Sequence, residues 1–220
     1  MNFKRLTLLC GHYGSGKTNV AVNIAFDLKK QYNNVCIADL DIVNPYFRAK
    51  DSLADFEQKG IRLICSEYAN SNVDIPALPA DIYTITADKT MQCVLDIGGD
   101  DRGALALGRI REEILNENDY EMLMVINRFR PLTPDADSTL EIMKEIETAA
   151  KIKFTGLVNN SNLGEFTTKD DVLGSVAYAE EVSKKSGIPV VLTTVNETLF
   201  NEFNGEIKNL YPLSLQSKII

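Results

Sequence analysis

The sequence predicts a three-layer α/β domain with a doubly wound, mainly parallel sheet, and three observations predict it. Short β-branched and apolar runs alternate with segments of helical period along most of the 220 residues. Several of those runs are apolar at nearly every position, which suits strands covered on both faces. The first run, Leu6-Thr7-Leu8-Leu9-Cys10, passes directly into the glycine-rich stretch Gly11-His12-Tyr13-Gly14-Ser15-Gly16-Lys17-Thr18, at a strand-to-helix junction. Alternation of this kind packs helices on both faces of a parallel sheet and gathers ligands at the carboxyl ends of its strands.

The elements follow in order. A strand over 6–10 leads into a helix over 17–30, where Val20, Ile24 and Leu28 recur at four-residue steps and build one apolar face. Further strands are expected at residues 35–39, 61–65, 93–96, 122–126, 154–158 and 189–193. A helix over 137–151 repeats Leu140, Met143, Ile146 and Ala150 on one side. Another over 168–185 opens on the capping pattern Thr168-x-x-Asp171 and stops at Gly187, just before Pro189. A last helix is expected over 198–210, with Phe200, Phe203, Ile207 and Leu210 inward. Residues 66–90 resist the pattern: Asn70, Ser71, Asn72, Pro76 and Pro79 surround one short apolar run at 82–85. A connection of that length is a lid, a partner surface or an excursion of the sheet, or else a plain irregular loop. With no internal repeat and no low-complexity linker, residues 1–220 are expected to form one domain.

Composition narrows the function. A net charge of −8 disfavours nucleic-acid binding through counterion release, which needs clustered Lys and Arg. No apolar run is long enough to span a bilayer, and Met1-Asn2-Phe3-Lys4-Arg5 runs straight into a strand, so a cytoplasmic location is the default expectation. Cys10, Cys36, Cys65 and Cys93 each lie in or beside a strand and form no C-x-x-C pair, so they read as small core residues. His12 is the only histidine, which leaves too few parts for a histidine metal site or a Ser-His-Asp triad.

The glycine-rich stretch fits the template G-x-x-x-x-G-K-[ST] without mismatch. Its glycines let the backbone curl so that successive N–H groups of Gly11, His12, Tyr13, Gly14, Ser15 and Gly16 make an anion nest. Lys17 brings a point charge for the outer phosphates, Thr18 brings a hydroxyl suited to Mg²⁺, and the helix that follows adds its N-terminal dipole. This is a nucleoside-phosphate site. Hydrolysis or transfer needs carboxylates as well. The second strand ends in Asp39-Leu40-Asp41, whose two acids share one side of the pleat. The fourth ends in Val94-Leu95-Asp96-Ile97-Gly98-Gly99, a hydrophobic run, an acid and then a flexible pair. Asp96 is the candidate for the Mg²⁺ shell, and the glycines would let the chain respond to a γ-phosphate.

In these motifs the chain resembles the MinD/ParA/NifH group of P-loop ATPases, over most of its length. Gly11 to Thr18 look like that family's Walker A loop, and Asp39-Leu40-Asp41 is similar to its switch I. The resemblance implies that Asp41 orients the attacking water while Asp39 stays near the metal. Asp96-Ile97-Gly98-Gly99-Asp100 resembles the D-x-x-G-D switch II of the nitrogenase iron protein. Gly156-Leu157-Val158-Asn159-Asn160-Ser161 is similar to the segment that presents an adenine-contacting asparagine, a role that falls on Asn160; the plainer reading is turn residues after a strand. The family usually carries a lysine just after the first glycine, which crosses a nucleotide-sandwich dimer. Here that position is His12, followed by Tyr13, and a histidine brings less charge than a lysine. Arg48, Arg102 and Arg109 lie near the switch motifs as candidate replacement cations, each also readable as a surface arginine.

The resemblance implies ATP and Mg²⁺ as cofactors, a protein partner and a nucleotide-dependent homodimer. An N-K-x-D guanine motif is absent, which favours ATP over GTP. Residues 213–220 hold one basic residue, Lys218, a poor match to a membrane-binding amphipathic helix. Two readings stand side by side. One is a slow ATP-hydrolysing switch acting on a protein. The other is an ATP-dependent enzyme resembling dethiobiotin synthetase or the cobyrinic acid amidases, which lacks here a distinct acceptor-binding cluster of Lys and Arg. A non-hydrolysing nucleotide-binding scaffold is the third.

Overall fold

The computed structural model describes residues 2–41, 52–65, 80–99 and 107–215. Eight strands among them form one sheet: β1 (Leu6–Cys10), β2 (Val35–Leu40), β3 (Arg62–Cys65), β4 (Gln92–Ile97), β5 (Tyr120–Ile126), β6 (Gly156–Asn159), β7 (Val190–Asn196) and β8 (Leu210–Leu213). Their spatial order is β3-β2-β4-β1-β5-β6-β7-β8, and each neighbouring pair is parallel. The chain runs outward from β1 to β2 and β3, then from β4 crosses β1 to reach β5. That reversal opens a crevice at the carboxyl ends of β1 and β4, where a doubly wound sheet takes its ligands.

Strand alternation sorts the apolar side chains into two cores. Leu8, Cys10, Ala38, Leu95, Ile97, Met122 and Met124 face one side. There they meet α3 (Tyr83–Ala87), α4 (Arg111–Glu117), α5 (Ala136–Ala150) and α6 (Lys169–Ser186) through Ile85, Ile114, Met143 and Val182. Leu9, Ile37, Val94, Leu123 and Val158 face the other side, against Val20, Ile24 and Leu28 of α1 (Lys17–Lys29) and Phe56 of α2 (Leu53–Lys59). Each fully buried Leu or Ile stabilises by about 1.5–3 kcal/mol, so both faces must be covered. Three layers result, as the uninterrupted apolar runs require. Cys10, Cys36 and Cys93 are buried in this core and Cys65 is half-buried, and none of the four is in a disulfide.

The expected strands all form, the first with its expected bounds and the others with ends shifted by at most three residues. The helix over 168–185 has the expected capping box, with Thr168 and Asp171 bonded reciprocally, and ends on Gly187 at φ 76°. The helix over 137–151 starts one residue early, because Asp135 accepts a hydrogen bond from the Ser138 N–H as its cap.

The last expected helix does not form. Only α7 (Glu197–Phe200) and a single 3₁₀ turn, Asn201–Phe203, are helical, and Leu210–Leu213 is instead β8, pairing with β7. Asn204 and Gly205 both adopt positive φ, 45° and 83°, which breaks a helix whatever the spacing of its apolar residues. Pro212 fits because β8 is an edge strand and needs no donor on its outer side. Three short helices, α2, α3 and α4, were not expected from the sequence; at five to seven residues each is too brief to show a period. Of the irregular connection over 66–90, residues 66–79 lie outside the described residues, and 80–87 form a 3₁₀ turn and α3. Among the described residues no helix is long and apolar enough to cross a membrane.

At the amino-terminal ends of the strands Arg5 acts as a staple. It is 5% exposed and donates from Nη1 to the carbonyls of Ile85, Asp88 and Met91, at 3.1, 3.2 and 2.8 Å. Nε and Nη2 fork onto the Glu117 carboxylate, the latter at 2.6 Å, and Lys89 Nζ donates to the same carboxylate at 2.5 Å. The segments that precede β1, β4 and β5 are thereby tied together.

Candidate functional site

Register places the acids before any side chain is considered. Leu9 pairs with Asp96 across β1 and β4, and Asp39 pairs with Asp96 across β2 and β4. Two residues earlier in their strands, Ile37 and Val94 point into the core beneath α1. Asp39 and Asp96 therefore share that face and lie side by side near the start of α1. Asp41 follows β2 directly, and its N–H donates to Asp39 Oδ1 at 3.2 Å.

The loop between β1 and α1 curls as its composition demands. Ser15 N–H donates to the His12 carbonyl at 3.1 Å, and Lys17 Nζ reaches the same oxygen at 3.5 Å. Gly16 sits at φ 88° as the residue that caps α1, and no side chain caps that helix end. Its first turn carries no acid, which leaves the helix N-terminus open to an anion. Gly16 has a second reason to lack a side chain: a Cβ there would stand 2.2 Å from Asn160 Nδ2. Gly99 in turn lies on the loop's backbone, where a Cβ would meet the Gly11 carbonyl oxygen at 2.3 Å. Gly99, the second glycine of the pair, thus rests directly on the phosphate loop.

Lys17, Thr18 and Asp96 form the buried centre, at 5%, 6% and 0% exposure. Neither Asp96 carboxylate oxygen has a hydrogen-bond partner among the described residues, and the Ser15 hydroxyl is likewise buried without one. Burial, and then the neighbouring Asp39, hold the Asp96 carboxyl above the usual carboxylate range, against the pull of Lys17 and the nearby Thr18 hydroxyl. A fully buried acid without a geometric hydrogen-bond partner among the described residues is costly to the fold and suits a group awaiting a cation. No group of three or more His, Cys, Asp or Glu side chains converges among the described residues. The donor set fits Mg²⁺, which takes one or two protein oxygens and completes its octahedron with water and phosphate. Thr18 and Asp96, with Asp39 beside them, are the residues that would hold it.

The remaining expected residues divide. His12 Nδ1 lies 3.0 Å from the Tyr13 carbonyl oxygen, and the Tyr13 ring is 52% exposed. Asn160, expected at a nucleobase, is 3% exposed and is engaged in the protein: its Nδ2 donates to the Ser15 carbonyl at 2.6 Å, and its Oδ1 accepts from Thr194 at 2.5 Å. It straps the phosphate loop to β6 and β7. Asn159, fully buried, donates to Ser175 Oγ at 2.8 Å. Arg109 is exposed on a 3₁₀ turn, while Arg48, Asp100 and Arg102 lie outside the described residues.

Sequence reasoning missed two participants. Thr194 anchors Asn160, and Arg130, on the turn after β5, donates from Nε to the Gly14 carbonyl at 2.7 Å. Both follow the carboxyl ends of strands or lie in them near that end, and that position was the available signal.

Comparison with known proteins agrees with this geometry. The family model of the CobQ/CobB/MinD/ParA nucleotide binding domain matches residues 11–190. No curated protein sequence matches the chain. Among solved structures, the chain is similar to chloroplast FtsY from Physcomitrella patens, with a TM-score of 0.59 and 19% identity over 90% of this chain and 60% of that one. The cell division protein FtsY of Thermotoga maritima gives 0.57 and 19%, over 90% and 63%. The signal recognition particle 54 kDa protein of Aeropyrum pernix, in complex with GDP, gives 0.51 and 14%, over 87% and 41%. The chain spans about 60% of the length of the FtsY proteins, and at these identities the likeness is one of fold. The chain belongs to the CobQ/CobB/MinD/ParA nucleotide-binding domain family and has the fold of a P-loop NTPase.

Proposed function

We propose that this protein is a Mg²⁺-dependent ATP switch of the MinD/ParA type, which binds ATP, hydrolyses it slowly and acts on a protein partner. The observation that supports it most is the buried carboxylate of Asp96, whose oxygens have no geometric hydrogen-bond partner among the described residues, beside Thr18 and Lys17 at the head of α1. Thr18 and Asp96 would hold Mg²⁺, which when bound would supply positive charge against the phosphates. The chain's own residues do the rest. Loop N–H groups and the α1 terminus orient the phosphates, and Lys17 neutralises the outer ones. Asp41, one residue past β2 and tied to Asp39 through its N–H, would orient the attacking water. Gly99, lying on the loop backbone, would move when the γ-phosphate leaves, and that movement would reshape the surface a partner reads.

A homodimer formed around nucleotide remains part of this proposal, as does adenine over guanine. A slow basal turnover of ATP in the absence of any small substrate supports the switch. Asp41→Ala should then lower phosphate release by at least about 100-fold while nucleotide affinity stays within about threefold. Turnover that appears only on addition of a small carboxylate would favour the second reading, an enzyme of the dethiobiotin synthetase or cobyrinic acid amidase type. Tighter binding of GTP than ATP in direct competition would overturn the choice of base.

A further inference from the structure

We infer that Arg130 is a second cation of the phosphate site, contacting the phosphate chain of the bound nucleotide from within the same chain; this rests on the nucleotide reading given above. Its place is set by the loop. The guanidinium Nε donates to the Gly14 carbonyl at 2.7 Å, and the group lies along Gly14, where a Cβ would stand 3.5 Å from Nε and 3.9 Å from Cζ. The half-buried guanidinium therefore docks on the phosphate loop itself, and its two terminal amino groups make no hydrogen bond among the described residues.

The turn that carries Arg130 is pinned rather than loose. Asn127, fully buried, accepts from Phe129 N–H at 3.0 Å through Oδ1. Its carbonyl accepts from Arg130 N–H at 3.2 Å and from the Thr133 hydroxyl at 2.8 Å. Arg128 N–H donates to Ser161 Oγ at 3.1 Å, which ties the turn to the segment after β6. A side chain on such a support, held again by its own Nε, loses little further freedom when it meets a ligand. Arg128, by contrast, is turned away and donates to the Gly174 carbonyl at 2.8 Å.

Charge supplies the third argument. Asp39 and Asp41 act as neighbouring anions on Asp96, and within residues 11–18 Lys17 is the one Lys or Arg. A guanidinium matches two phosphate oxygens at once, which an ammonium does not, and a preorganised cation stabilises charge that develops on the transferring group. Arg109, the described member of the three arginines first considered, is exposed on a 3₁₀ turn.

The test uses the full chain with Mg²⁺, a non-hydrolysable ATP analogue, ADP, and the variants Arg130→Gln and Arg130→Lys. Glutamine can still donate to the Gly14 carbonyl but carries no charge. We expect Arg130→Gln to lose at least about tenfold in affinity for the analogue and in turnover, with a smaller loss for ADP and a thermal midpoint close to that of the unaltered protein. Affinity for the analogue should also fall less steeply with salt in that variant, while Arg130→Lys keeps the original slope. If Arg130→Gln melts much earlier, the salt slope alone decides. A slope equal to that of the unaltered protein, or an unchanged affinity and turnover, means that Arg130 only braces the loop and overturns the inference. Uptake of nucleotide by the unaltered protein separates that outcome from failure of the site as a whole, which would remove both.

Discussion

Arg5 and Asp96 are about equally buried, at opposite ends of the same sheet. Arg5 places its donors on three carbonyls and one carboxylate. Asp96 leaves both oxygens without a partner among the described residues, with Lys17 as a neighbouring cation and Asp39 and Asp41 as neighbouring anions. A fold that only needed stability would treat the two alike. The difference teaches that the amino-terminal end was built to hold the strands together, and the carboxyl end to be completed by something the chain does not contain.

Substitutions at each end should break that contrast in opposite directions. The largest expected effect is at the satisfied end. Arg5→Ala removes one member of a buried pair and strips three carbonyls of their donor, so urea unfolding should show a loss of about 3–5 kcal/mol. Nucleotide affinity of the folded variant should stay within about twofold, because the staple lies at the far end of β1. Next comes Lys17→Ala, for which fluorescence titration should show nucleotide affinity falling by about 100-fold or more. Asp96→Asn sharpens the comparison further. It should unfold at higher urea than the unaltered protein when Mg²⁺ and nucleotide are absent, by about 1 kcal/mol, because a buried carboxyl that is costly to ionise has been replaced by a neutral amide.

The smallest effect is a pH dependence. The Arg5 hydrogen bond holds the Glu117 carboxyl below its ordinary value. A depressed folded-state value means that the contribution is present above about pH 4.3, the unfolded value, and is lost as pH falls through the folded one. Stability of the unaltered protein should exceed that of Glu117→Gln near pH 6, and the gap should shrink on acidification toward pH 3, as followed by thermal melts. A gap that is constant with pH would show that the pair contributes packing rather than charge.

The fold was legible because its signals were redundant. Leu6-Thr7-Leu8-Leu9-Cys10 is apolar on both parities, and the same holds for most of the central strands, so a parallel sheet with two covered faces followed. The C-terminal region was misread because Phe200, Phe203, Ile207 and Leu210 keep a helical spacing, while Asn204-Gly205, between them, is a turn in its own right. In the candidate site, Lys17, Thr18, Asp39 and Asp96 could be singled out from the sequence because each stands beside a glycine turn or at a strand exit. Arg130 and Thr194 were not, since their roles depend on which loops the β5-β6-β7 order brings beside Gly14 and Asn160. Asn160 was singled out by spacing, yet its described contacts are with the loop and Thr194, a tertiary fact that spacing does not carry.

Titration calorimetry with a non-hydrolysable ATP analogue tests the central claim most directly, run with and without Mg²⁺ on the unaltered protein and on Asp96→Asn. The account predicts that Mg²⁺ tightens binding by at least about tenfold in the unaltered protein and leaves the variant nearly unchanged. An equal gain from Mg²⁺ in both proteins, or no heat from the analogue or from any other adenine or guanine nucleotide, would contradict it.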